Sequence, residues 1–158
     1  MNAWEKGSRV MKALYGLGTY LAKSPIESRY AGLLNLIYFR VSQINGCAYC
    51  LDMHSKDLRA EGESEQRLYM LDAWREAPLY TGRERAALAW AEAVTVLTAG
   101  NVPDEVYEEV RQQFSEEELI DLTLGVIAIN SYNRINIAFR TTAGTYQPGQ
   151  WAMPVNNN

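Results

Sequence analysis

Residues 44–56, INGCAYCLDMHSK, hold both cysteines and the single histidine of a 158-residue chain. They also decide its fold class. Asn45-Gly46 suits the end of a helix, because glycine takes the left-handed C-terminal conformation at no steric cost. Upstream of that stop, Tyr30, Leu33, Leu34, Ile37, Tyr38 and Val41 recur at helical spacing. Downstream, a second helix runs from near Cys47 to about Ala60, and Glu61-Gly62-Glu63 breaks the pattern. The junction is therefore helix, glycine, helix, with two thiols at the second start.

Further out, helix signals recur and strand signals are weak. Ser24-Pro25-Ile26-Glu27 has the form of a capping box with proline at the first helical position, opening the helix that ends at Asn45. A first helix spans residues 3–22, weakened by Gly16 and Gly18. Ser64 caps a short helix through Leu71 or beyond, and Pro78 closes that region. Thr81-Gly82-Arg83-Glu84 is another capping box and opens an Ala-rich helix through Leu97. Its small faces permit close helix–helix approach. Pro103 starts a helix to about Phe114. Ser115-Glu116-Glu117-Glu118 caps a last long helix to about Arg140, apolar nearly all round between Leu119 and Ile129. That pattern predicts a place at the centre of a bundle. The expectation is an all-α, single-domain bundle of about six to seven helices over residues 1–142, with an irregular tail over 143–158. In that tail Tyr146, Trp151 and Met153 are the groups able to dock it on the body or on a neighbouring subunit.

Hydrophobic residues make up 47% of the chain and charged residues 22%, and the formal net charge is −4. These values fit one globular domain with a sizeable core. There is no Lys/Arg-rich patch, which excludes a nucleic-acid footprint. No apolar run reaches the length of a membrane span. The start, MNAWEKGSRVMKALYG, lacks the positive stretch and unbroken apolar run of a secretory signal. A cytoplasmic location is the default expectation, and there a CxxC is not a structural staple. No glycine-rich strand–turn–helix unit marks a flavin or nicotinamide site, so no cofactor is expected.

On one helix, Cys47, Cys50 and His54 fall within an arc of about 60°. Cys47 and Cys50 are i, i+3 neighbours, close enough for a disulfide to close with small movements. His54 lies one turn beyond Cys50. A helix N-terminus favours thiolate, and an adjacent imidazole can accept the thiol proton. Thiolate is the form that attacks peroxides and disulfides. Simpler readings exist beside this one. Two thiols can serve as small apolar core residues. Zinc would need Asp52 or Asp57 to add a fourth ligand, and ligands on one helix face surround an ion poorly, so no metal is expected. Asn130, Asn133, Arg134 and Asn136 read best as structural hydrogen-bonding groups, with pocket lining or subunit bridging as the other option. Tyr38, Phe39 and Tyr49 fit either a core or an apolar mouth for an organic peroxide.

The run Arg40-Val41-Ser42-Gln43-Ile44-Asn45-Gly46-Cys47-Ala48-Tyr49-Cys50-Leu51-Asp52-Met53-His54 resembles the core signature of the AhpD-like alkylhydroperoxidases, within the carboxymuconolactone decarboxylase family. The likeness extends through Glu65–Leu68, Ala73–Pro78, Glu84–Trp90, Val102–Asp104 and Phe114–Arg140. It implies an all-α bundle assembled as a trimer or hexamer. It also implies that Cys50 attacks the peroxide, Cys47 resolves it and His54 passes the proton. The residues alone leave that order open, since the N-terminal thiol, Cys47, is the more exposed of a CxxC pair. Two departures stand out. The family relay usually includes a glutamate twelve positions before the first cysteine, where this chain has Asn35, and the founding type has a histidine where this chain has Tyr49. A carboxamide cannot take a proton at neutral pH. The expectation is a weakened peroxidase, with Asp57, i+3 from His54, as a candidate to orient the ring.

The function expected is therefore thiol-dependent reduction of organic hydroperoxides or of partner disulfides, with electrons from an external dithiol. The alternatives are a redox-sensing or non-catalytic oligomer, and lactone decarboxylation, which members lacking the CxxC pair perform.

Overall fold

In the computed structural model, which describes residues 2–97 and 100–151, helix starts follow the caps closely at two places. Thr81 and Ser115 each accept from the third residue of the helix and receive the Glu84 or Glu118 carboxylate in return, forming two complete capping boxes. Ser64 accepts from Arg67 N–H at 3.2 Å. Each such cap contributes about 1 kcal/mol. The elements are α1 (Ala3–Lys6), α2 (Ser8–Leu21), α3 (Pro25–Arg29), α4 (Leu33–Asn45), α5 (Ala48–Ala60), α6 (Glu65–Met70), α7 (Gly82–Thr95), α8 (Asp104–Gln113) and α9 (Glu116–Ala138), with a 3-10 turn at Leu71–Ala73. No strand occurs among the described residues, and no helix there is long and apolar enough to cross a membrane.

Two expected helices are each divided. The first breaks at Gly7, where a Cβ would lie 2.9 Å from Ala3 O. The second breaks between Tyr30 and Leu33, where Gly32 adopts φ +82° and begins α4. The Ser24 capping box does not form. Its hydroxyl turns back to Leu21 O at 2.8 Å, and Glu27 accepts from Gly32 N–H at 3.3 Å instead. Apolar periodicity runs straight across Gly32 in the sequence, and only the left-handed turn interrupts it.

Helix α4 lies at the centre, packed on α5, α7 and α9. Leu36, Ile37 and Val41 of α4 are buried, as are Leu122, Val126 and Ile129 of α9 and the run Ala86–Ala91 of α7. Burying each large aliphatic contributes about 1.5–3 kcal/mol. Gly125 lets α9 approach α4 closely, since a Cβ there would stand 3.0 Å from Leu34 Cδ2. Helix α9 is central on one face only. Ile120, Ile127 and Ile137 are exposed, so its all-round apolar character supplies both a core face and an outward one.

Candidate functional site

Gly46 ends α4 in the left-handed conformation (φ +68°), and Cys47 N–H returns to Ser42 O at 3.1 Å. That turn sets Cys47 in extended conformation as the N-cap of α5. Its Sγ occupies the place usually taken by a serine or aspartate oxygen and accepts Cys50 N–H at 3.4 Å. Both cysteines are buried free thiols. Hydrogen bonding from the Cys50 thiol, from backbone N–H groups and from Asn133 outweighs burial and brings Cys47 down from 9.0 to about 7. Cys50 moves strongly upward, because it donates to Cys47, is desolvated and faces the Cys47 charge. Above about pH 7 the pair thus carries one proton, held on Cys50.

The asparagines of α9 form a stripe at i, i+3 and i+6 facing this junction. Asn45 Nδ2 donates to Oδ1 of both Asn130 and Asn133 at 2.9 Å. Asn133 Nδ2 donates to Ser42 Oγ at 3.0 Å. Asn130 Nδ2 reaches Thr95 Oγ1 and Val126 O. These two are structural in the sense expected from the sequence, and Arg134 donates to Asn130 at the exposed edge. Asn136 goes further. Its Nδ2 donates to Cys50 Sγ at 3.4 Å, while Trp4 Nε1 donates to its Oδ1 at 2.9 Å and fixes the amide's orientation. The Asn-x-x-Asn-x-x-Asn spacing carried a signal for this stripe. Nothing in the sequence marked Trp4.

His54 is buried, with its ring centroid 5.4 Å from that of Tyr38. Its Nδ1 lies 2.7 Å from Asn35 Oδ1, and Asn35 Nδ2 donates to Glu61 Oε2 at 3.4 Å. The second bond assigns the amide oxygen to the histidine side. Nδ1 therefore carries the hydrogen and Nε2 the lone pair. Nε2 is buried and has no partner among the described residues. Burial pushes the imidazole from 6.5 to about 3, so the ring is neutral at physiological pH. Burial likewise drives the Tyr38 phenol upward. Asn35, at the departed glutamate position, is thus the group that orients His54.

Asp57 is placed elsewhere. Both its oxygens accept from Tyr146 Oη at 2.9 Å, and Gly149 N–H reaches it at 3.3 Å. Asp52 accepts Gly144 N–H and pairs with Lys56, which also donates to Tyr146 O. These carboxylates, weighed as a fourth zinc ligand or ring anchor, instead strap residues 144–151 along the outer face of α5. Tyr146 is buried there, and Trp151 Nε1 donates to Tyr49 Oη at 2.8 Å. Met153 lies outside the described residues.

A cavity of about 210 Å³ opens beside Cys47, Tyr49 and Asn136. Tyr38 and Phe39 take no part in it; Phe39 belongs to the core. A larger groove of about 820 Å³ runs past Glu27, Gly32, Glu61 and Arg83 and contains neither thiol.

A model of the carboxymuconolactone decarboxylase family matches residues 10–93. The uncharacterized protein YdfG of Bacillus subtilis (strain 168) is 43% identical over 135 residues, covering 85% of this chain and 90% of that protein. Among solved structures, ATU0492 of Agrobacterium tumefaciens, a protein of unknown function described as a candidate antioxidant defence protein AhpD, is 40% identical with a TM-score of 0.85, covering 92% of this chain and 98% of that one. An uncharacterized peroxidase-related protein of Silicibacter sp. TM1040 is 27% identical with a TM-score of 0.71, covering 85% and 70%.

Proposed function

Because the chain belongs to the carboxymuconolactone decarboxylase family and shares its fold with an AhpD-like structure, we propose that it is a thiol peroxidase working through Cys47, Cys50 and His54. One observation carries the reading: a sulfur held as a helix N-cap, with a thiol pKa near 7, borders an open cavity while its partner thiol donates to it.

Cys47 thiolate attacks the distal oxygen of ROOH. The O–O bond breaks, Cys47 becomes sulfenic acid, and the departing alkoxide takes a proton and leaves as ROH. Cys50 then attacks the Cys47 sulfur. The S–O bond breaks, a disulfide forms, and the Cys50 proton passes to His54 Nε2 and on to the hydroxide, which leaves as water. An external dithiol restores both thiols by exchange. This order reverses the one implied by resemblance. The cavity is lined by Cys47 and not by Cys50, and the thiol that ionises more readily is Cys47. His54, one turn after Cys50, is the neutral imidazole assigned to the resolving step.

The test is hydroperoxide consumption with a dithiol donor, coupled to thiol titration. Two thiols should disappear together on oxidation. A wild-type protein that consumes no hydroperoxide with any dithiol ends this reading. The proposal extends to self-assembly into a trimer or hexamer in the cytoplasm. Exposed Ile120, Ile127 and Ile137 on α9 support it, and sedimentation of the full chain as a monomer would remove it.

A further inference from the structure

The lining of the Cys47 cavity carries one cationic side chain, Arg140. Among the described residues Arg140 makes one hydrogen bond, from its backbone N–H to Ile137 O at 3.2 Å, and its guanidinium makes none. Its backbone is unusual as well. Arg140 has φ 55°, and no other non-glycine described residue has positive φ. Glycine or asparagine is the ordinary occupant of such a position past a helix C-terminus. Here the turn is closed by Thr141 N–H on Asn136 O at 2.9 Å, which holds residue 140 on the cavity's rim.

We propose that Arg140 makes this cavity a subsite for anionic substrates: a hydroperoxide that also bears a carboxylate, seated with the carboxylate on the guanidinium and the peroxide at Cys47. The inference rests on the thiol-peroxidase reading and specifies its substrate class. The guanidinium fork matches a carboxylate in two parallel hydrogen bonds, and its charge is permanent. The rest of the lining, including Tyr49, Asn136, Ile137 and Thr141, is uncharged, so the Cys47 thiolate is the one anionic group that shares the cavity with Arg140, and no carboxylate lines it. The small volume limits the ligand to a short chain. No step is added to the reaction: the O–O bond breaks at Cys47 as above, and the carboxylate stays bound and unchanged.

A rival account makes Arg140 only a favourable charge at the C-terminal end of α9. Arg140→Gly separates the two. It removes the guanidinium and relieves the left-handed backbone, so the thermal unfolding temperature should not fall. Reduced full-length protein is treated with iodoacetate, which is anionic, and with iodoacetamide, which is neutral, and the Cys47 alkylation rates are compared. Loss of one charge-assisted pair predicts that the iodoacetate-to-iodoacetamide ratio drops about tenfold in Arg140→Gly and Arg140→Gln. The kcat/KM ratio for a short hydroperoxy acid over its methyl ester should drop in parallel. An unchanged alkylation ratio in both variants overturns the inference, whatever the peroxidase result. A fallen alkylation ratio in a protein that reduces neither peroxide keeps the anion subsite and removes the peroxidase reading.

Discussion

At the start of α5 a sulfur sits among donors; two turns later an imidazole sits against a tyrosine ring with one carboxamide for company. Cys47 receives the Cys50 N–H and the Cys50 thiol, and its ionised form is favoured down to about pH 7. His54 has one neutral acceptor, Asn35 Oδ1, and no carboxylate partner; burial prevails, and it refuses a proton until about pH 3. The N-cap and the middle of one helix thus separate charge from basicity. The anion is parked at the N-terminus, where backbone donors stabilise it without a cation. The base is kept neutral and dry, able to take a proton only briefly.

The sharpest break in that contrast comes from the thiols. Cys50→Ser and Cys47→Ser should each abolish turnover with a dithiol. In a single turnover, Cys50→Ser should still form sulfenic acid, detectable by a sulfenic-specific probe, and Cys47→Ser should not. The reverse pattern would move the attacking role to Cys50. Next in size is His54→Gln, expected to slow steady-state peroxidase about 10²–10⁴-fold. Sulfenic acid formation at Cys47 should be nearly unaffected, since the imidazole acts at resolution.

The pH dependence tests both groups at once. Peroxide attack should rise with pH through about 7 as Cys47 ionises, with no limb near 6.5 from His54. Both shifts lower stability as pH falls, in different windows. Cys47 is an acid depressed on folding, so its contribution is full above 9.0 and lost as pH falls through about 7. His54 is a base depressed from 6.5 to about 3. Below 6.5 the unfolded chain takes up a proton that the folded one refuses. Stability should therefore fall across that window at about 1.4 kcal/mol per pH unit. Denaturant unfolding of His54→Gln should flatten that acid limb.

Asn35→Glu sharpens the comparison from the other side. A carboxylate against Nδ1 should raise the His54 pKa and the turnover rate, by up to about 10²-fold. The gain is limited by Glu61, which already lies 3.4 Å from the Asn35 amide nitrogen. An unchanged rate would assign Asn35 to packing alone. The smallest effect expected is for Tyr146→Phe, a loss of about 1 kcal/mol in denaturant unfolding. It removes the bonds to Asp57 without touching either thiol.

Much of this arrangement is legible in the sequence because it is local. The spacing places Cys50 and His54 one turn apart on α5, and Gly46 announces the turn that makes Cys47 its extended N-cap rather than a residue of the helix face. The boxes at Thr81 and Ser115 are equally local. What escaped depends on distance along the chain. Asn136 reaches Cys50 across 86 residues and Trp4 reaches Asn136 across 132. Asp57 looked like a partner of His54 by i+3 spacing, yet Tyr146, 89 residues away, takes it. Asn35 read as a lost relay group. Its approach to His54 needed the α4–α5 packing angle, which periodicity does not encode.

Trp4 and Trp151, far from the CxxC in sequence, both arrive at it. Trp4 holds the amide that touches Cys50, and Trp151 grips the tyrosine between the two cysteines. Replacing either indole would here reach the sulfur chemistry itself. Two indoles placed this way also give each side of the redox centre its own built-in fluorophore.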